Sequence, residues 1–276
     1  MLEKDGVSVI IPTYNRAELL ERSVKSVQEQ TYKKWEIIVV DDGSTDNTED
    51  IINKLNDARV RYIKNEKNLG AAASRNRGVE FAKYDYVAFQ DSDDMWRIDK
   101  LEKQMTYLHQ NTDYDMVYCS FLKHYSNGGS LVVPNNQIGE REGDMYATLL
   151  VNNVIGTPTA LIRRNVFLEC GGFDTELRAI EDWDFAVRVA RNSQIGFVPE
   201  ILVDAYETQG SISYDGAAYY KARCKMLAQN GVYLQEVGLF DDLVINMFND
   251  AEKRGVLDSV KKIFMLSLKE YYDKEN

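Results

Sequence analysis

The chain has only three cysteines in 276 residues, Cys119, Cys170 and Cys224. They are widely spaced, odd in number and form no CxxC pair, which excludes both a disulfide framework and a zinc site as organising devices. A reducing, cytoplasmic setting is the expectation. Positive charge is also short: 33 Lys and Arg stand against 44 Asp and Glu, a formal net charge of −11. That balance argues against nucleic acid as a partner, because affinity for a phosphate backbone rests on basic side chains. It also means that any anionic substrate must find its positive charge locally, from an arginine, backbone N–H groups or a metal ion. No run of 18 apolar residues occurs, and Met1 leads through Glu3, Lys4 and Asp5 without a signal-peptide layout. The expectation is a chain without a transmembrane segment, with peripheral contact at the inner face of the membrane left open. No GxGxxG follows the first strand and no GxxxxGK[ST] appears, which disfavours hydride transfer and phosphate-loop chemistry.

What is present is 44% hydrophobic residues, enough for a substantial core, arranged in two textures. Through residue 100, short β-rich runs alternate with amphipathic helical patterns, the mark of a parallel sheet wrapped by helices. Strands are expected at Val7 to Ile11, Glu36 to Val40, Val60 to Lys64 and Tyr86 to Phe89. A capping box, Asn15 with Glu18, should open a helix with Leu19, Leu20, Ser23, Val24 and Val27 on one face. Asp46 and Glu49 should cap a second helix ending near Asn56, and small residues predict a third over Gly70 to Ala82. After residue 100 a helix to His109, strands at Met116 to Phe121 and Ser130 to Val133, and a turn at Asn127 to Gly129 follow. From about 215 the pattern is helix alone, with Val256, Val260, Ile263, Phe264, Leu268 and Tyr271 on one stripe. The divisions expected are 1–100 and 101–214 within one α/β domain, and a helical C-terminal region over 215–276.

In open α/β sheets ligands bind beyond the carboxyl ends of the strands. Three such ends carry unusual chemistry here: Pro12 to Arg16, Asp41 to Ser44, and Asp91-Ser92-Asp93-Asp94. Three carboxylates in four residues repel one another unless a cation or hydrogen-bond donors compensate, and a hard divalent ion shared with substrate phosphates is one solution. A loop whose acids cap the next helix is the other. Asp41 and Asp42 read either as an Asx turn or as a carboxylate accepting the N3–H of a uracil. Asn68 to Asn76 brings small residues and Arg75, suited to close approach of a ligand or to tight packing on the sheet. Glu181-Asp182-Trp183-Asp184 favours a helix start electrostatically, or offers a general base beside an aromatic wall.

Taken in order, SVIIPTYNR, VVDDGSTD, NLGAAASRN, FQDSDD, GGFDTEL (171–177) and EDWDF resemble family 2 glycosyltransferases of the GT-A fold over residues 5 to 215. The resemblance implies an α/β fold, Rossmann-like, with a mostly parallel central sheet flanked by helices. It implies an inverting transfer of a sugar from a nucleotide diphosphate, UDP-hexose or UDP-N-acetylhexosamine, to an acceptor hydroxyl in surface polysaccharide or glycan assembly. Carried onto matching positions, Pro12, Thr13, Tyr14, Arg16, Asp42, Gly70, Arg75, Asp91 and Ser92 would bind the nucleotide, with Asp42 on uracil and Asp91 near the ribose. Asp93 of the DxD motif would hold Mn²⁺ or Mg²⁺. Asp182 would be the catalytic base, with Glu181 and Trp183 shaping the acceptor pocket. One departure is visible: where many relatives have a histidine before a closing GSxS segment, this chain has Thr208 before Gln209 to Ser213. Two readings from other classes stand beside this one. A sugar-phosphate nucleotidyltransferase would need a glycine-rich first loop, which Pro12 to Arg16 is not. A non-catalytic nucleotide-sugar-binding module would not need both Asp93 and Asp182.

Overall fold

The computed structural model describes residues 5–135, 139–208 and 216–275. In chain order the elements are β1 (Val7–Thr13), α1 (Ala17–Gln28), β2 (Trp35–Asp41), α2 (Thr48–Lys54), β3 (Val60–Lys64), α3 (Ala71–Glu80), β4 (Tyr86–Phe89), β5 (Met95–Trp96) and α4 (Lys100–Gln110). Then come β6 (Tyr114–His124), β7 (Ser130–Val133), α5 (Tyr146–Val151), a 3-10 turn (Thr157–Thr159), β8 (Leu161–Arg163), α6 (Arg164–Glu169), α7 (Glu181–Ala190) and β9 (Gln194–Tyr206). The chain closes with α8 (Gly216–Gln229), α9 (Gly231–Glu236), α10 (Phe240–Lys253) and α11 (Leu257–Glu275).

One sheet runs β3-β2-β1-β4-β8-β6-β9-β5, with β7 paired to β6. The first four strands in that order are mutually parallel. Beyond them the sheet is mixed: β8 lies antiparallel between β4 and β6, whereas β6 and β9 run parallel. Because alternate strand residues face opposite sides, Ile10, Ile38 and Val40 join one core layer, while Val9, Ile11, Ile37 and Val39 join the other. The first layer also takes in Tyr220, Cys224, Leu227, Val260 and Phe264 from α8 and α11, so the C-terminal helices share the core of the α/β part. The expected boundary at 214/215 lies outside the described residues.

Two local features depart from the sequence reading. Asn15 and Glu18 form no capping box: Asn15 sits at φ 50° and its side-chain oxygen accepts the Thr45 N–H at 2.8 Å, while the Ala17 N–H donates to Asp46 at 3.1 Å. Parallel neighbours β1 and β2 end side by side, so the loop after β2 caps the helix after β1. Asp46 also accepts the Thr48 N–H of its own helix at 3.1 Å, serving both helices. The second is β9, which the sequence pattern hides because Pro199 and Glu200 interrupt it. The register with β6 jumps from Cys119↔Val198 to Ser120↔Ile201, and the two interrupting residues are looped out of the ladder.

Candidate active site

Beyond the carboxyl ends of β1, β2 and β4, the loops that follow them meet the starts of α3 and α7 around a cleft of about 690 Å³. Pro12, Thr13, Tyr14, Arg16, Asp42, Gly70, Arg75, Asp91, Ser92, Asp93, Glu181 and Asp182 all line it. So do Asn68, Ala71, Ser74, Asn153, Thr157, Ala179, Ile180 and Tyr219. Of these only Asn68 and the small residues after it belong to a segment that the sequence marks; Asn153, Ile180 and Tyr219 carry no local signal.

The two aspartates after β2 divide the readings between them. Asp41 is fully buried and makes the Asx turn, accepting the Ser44 N–H at 2.8 Å and the Tyr62 hydroxyl. Asp42 faces the cleft and accepts from Asn65 Nδ2 (2.7 Å), Leu69 N (2.9 Å) and Gly70 N (2.7 Å). Its carboxylate therefore holds the loop before α3 as well as lining the cleft. Gly70, at φ 93°, takes a backbone conformation that a side chain would strain. Tight packing of α3 on the sheet also holds: a Cβ at Gly78 would run into the Ile10 side chain.

Each carboxylate of the Asp91-to-Asp94 loop has its own compensation. Asp91 pairs with Arg75 at 2.7 Å. Asp93 pairs with Arg16 and accepts the Thr208 hydroxyl at 2.7 Å. Asp94 turns inward to accept the Tyr206 N–H at 2.9 Å; burial, then the charges of Asp91 and Asp93, raise its carboxyl well above the ordinary range. Thr208 thus reaches Asp93 directly, while Gln209 to Ser213 lie outside the described residues. Among the described residues no group of three or more His, Cys, Asp or Glu converges as a metal site. Asp93, on the cleft wall and offering hard oxygen, suits an ion such as Mg²⁺ or Mn²⁺ that takes one or two carboxylates and completes its shell with phosphates and water.

Arg75 lines the cleft, as a nucleotide-binding role would require, but its charge is already engaged. Its side chain is 6% exposed, and the guanidinium bridges Asp91 (2.7 Å) and Glu181 (2.9 Å). Two acids already neutralise it, so it acts as a strut between the acid loop and the start of α7. Ile180, just before that helix, sits at φ 52°, a rare conformation for a β-branched residue. The strained residue turns the chain so that Glu181 and Asp182 both face the cleft. Asp182 backs onto a small apolar void lined by Phe89, Met116, Phe173 and Phe185. Desolvation there, reinforced by the neighbouring Glu181, raises its carboxyl to about 7, against the Trp183 N–H bond and Arg75, which favour the anion.

Trp183 is the residue the structure takes out of the site. It is 6% exposed, its indole N–H donates to the Leu149 carbonyl, and the Arg223 guanidinium stacks on its ring at 4.4 Å. One step beyond Asp182 on a helix points into the core rather than the cleft, so Trp183 anchors α7 and is absent from the cleft lining.

An open sheet with an acidic cleft at its parallel end, faced by a second acid pair on a helix start, has the architecture of GT-A glycosyltransferases. The chain belongs to glycosyl transferase family 2, whose sequence profile matches residues 8–171. It is 40% identical over 165 residues to TuaG of Bacillus subtilis, a protein provisionally named as a teichuronic acid biosynthesis glycosyltransferase, covering 58% of this chain and 63% of TuaG. It is 35% identical over 162 residues to the Escherichia coli UDP-Glc:alpha-D-GlcNAc-diphosphoundecaprenol beta-1,3-glucosyltransferase WfgD, covering 58% of this chain and 61% of WfgD. The similarity thus spans less than two thirds of either relative's length. S. aureus TarS 1–349 in complex with UDP-GlcNAc shares the fold, with a TM-score of 0.67 at 19% identity over 98% of this chain and 91% of that one. Among the described residues no helix is long and apolar enough to cross a membrane.

Proposed function

We propose that this chain transfers a hexose or N-acetylhexosamine from a UDP-sugar to an acceptor hydroxyl, with inversion, in the assembly of a surface polysaccharide. The observation that carries this reading is the Asp91–Arg75–Glu181 bridge. One guanidinium's width separates the acid loop from the helix start bearing Asp182, so donor phosphates and an acceptor hydroxyl would meet in the same cleft. Asp42 and the loop it holds would receive the base, with Pro12, Thr13 and Tyr14 beside it. Asp93 would hold Mn²⁺ or Mg²⁺, which when bound would neutralise charge on the departing diphosphate. Asp182, its carboxyl raised to about 7, is matched to taking a proton near neutral pH. Displacement then forms the new glycosidic bond from the acceptor oxygen, releases UDP and leaves the proton on Asp182. The UDP-Glc donor in WfgD's name supports uracil as the base, and the names of WfgD and TuaG support a polysaccharide role.

Calorimetry of UDP with Mn²⁺ and with EDTA tests the donor and cation together, and equal affinity in the two conditions would remove the cation from the reading. A panel of UDP-glucose, UDP-galactose and their N-acetylated relatives, scored for UDP release, then identifies the donor. Release from none of them would overturn the assignment to UDP-sugars.

A further inference from the structure

The cleft has a wall that the nucleotide reading leaves unused. The residues read as nucleotide-binding come from 12 to 93, whereas Asn153 and Tyr219 line the same cleft from the segment after α5 and from α8. Tyr219 is held in place from behind. On α8, Tyr219 and Arg223 are one turn apart and share a face. Arg223 is 5% exposed, donates to the Leu150 carbonyl at 2.8 Å and stacks on Trp183. That carbonyl lies in the last turn of α5, where the helix dipole favours a cation. Trp183 in turn bonds the adjacent Leu149 carbonyl. Arg223 and Trp183 therefore lock α8 to α7, the helix that begins with Glu181 and Asp182, and the preceding turn of α8 brings Tyr219 to the cleft that those two acids also line.

We propose that Tyr219 and Asn153 form the acceptor subsite, and that its ligand is a pyranose ring rather than a small or acyclic alcohol. A half-buried aromatic ring that shares a cleft with an exposed amide and with carboxylates suits a sugar, whose axial C–H face is apolar and whose rim is hydroxyl. The family profile ends at residue 171, so α8 lies outside the segment that defines the family. Asn153 lies inside that segment, whereas Asp182 and Tyr219 both lie beyond it. The proposal rests on the glycosyltransferase reading for the role of the bound sugar, but binding itself can be measured without turnover.

Saturation-transfer NMR with methyl α- and β-glycosides of glucose, galactose and N-acetylglucosamine, with glycerol as the acyclic control, provides the test in the presence of UDP and Mn²⁺. At least one glycoside should bind the wild type, through the protons of one ring face, and glycerol should not. Tyr219→Leu keeps bulk but removes the aromatic face, and should weaken that glycoside by about ten-fold or more, while Tyr219→Phe retains it. Because Tyr219 also packs edge-on to Tyr220 at 5.4 Å, the exposed Asn153→Ala serves as a second variant that leaves the packing intact; it too should weaken the glycoside. No glycoside binding to a wild type that binds UDP, or undiminished binding in both Tyr219→Leu and Asn153→Ala, overturns the subsite. A wild type that fails to bind UDP counts against the donor reading instead, and the same titrations without nucleotide still decide the role of Tyr219.

Discussion

The two halves of the cleft are built by different means. On the nucleotide side, β1, β2 and β4 are parallel neighbours, and each delivers its polar residues within a few positions of its own carboxyl end. On the acceptor side, Glu181 and Asp182 follow no strand end of that kind. They are held by Arg75, 106 residues away from Glu181, by the strained Ile180 and by an anchor of Trp183 and Arg223 on the end of α5. A site assembled from strand ends tolerates local change, whereas a site held by long-range partners fails when one partner is removed. Adjacent acids also differ: Asp41 is buried in its turn while Asp42 lines the cleft, and Glu181 is paired with Arg75 while Asp182 backs onto an apolar void.

The largest effect should come from the acceptor side. Asp182→Asn is nearly isosteric but cannot take the proton, so transfer at saturating donor should fall by about 10²–10⁴-fold with UDP affinity unchanged. Wild-type transfer should rise with pH through about 7 as Asp182 ionises. Stability should move the other way. A carboxyl raised above its unfolded value of about 4 holds its proton more tightly in the fold, so stability is lost as pH climbs from about 4 toward 7. Asp182→Asn abolishes that loss and should melt above the wild type at pH 8. Wild-type transfer rates in this variant would leave the acceptor side without a catalytic group.

Cutting the strut comes next. Arg75→Met leaves Asp91 and Glu181 facing each other without their shared cation, and should destabilise the protein by about 3–5 kcal/mol in urea unfolding. Arg75→Lys should rescue only part, because one ammonium lacks the fork that bridges both acids. Unfolding midpoints equal to the wild type would show that the two halves stand independently. The smallest effect belongs to the nucleotide side. Asp42→Asn should weaken UDP by about 1.5–3 kcal/mol through loss of a charge-assisted bond. Asp42 also accepts two backbone N–H groups and Asn65, so part of the loss is structural. Measuring CDP beside UDP isolates the part due to base recognition, and equal losses for both would return Asp42 to the loop.

Legibility follows the same division. The nucleotide-side strands and the acid cluster after β4 were readable because strand runs and strand-end loops are short-range patterns. The capping of α1 was misread because the acceptor for its first helical N–H, Asp46, sits 29 residues on. Trp183 was misassigned for a comparable reason. An aromatic beside two acids looks like a pocket wall in one dimension, and only helix geometry turns it into the core. β9 escaped notice because Pro199 breaks the pattern that the bulge accommodates.

By itself the sequence determined the α/β architecture with its parallel first half, the acid loops and the charged side chains lining the cleft. These depend on periodicity and on residue chemistry, which are local. The tertiary structure alone decided which charges neutralise which: Arg75 with Asp91 and Glu181, Arg16 and Thr208 with Asp93, and Arg223 with the end of α5. Pairing is a matter of distance through space, and partners a hundred residues apart leave no trace of each other along the chain.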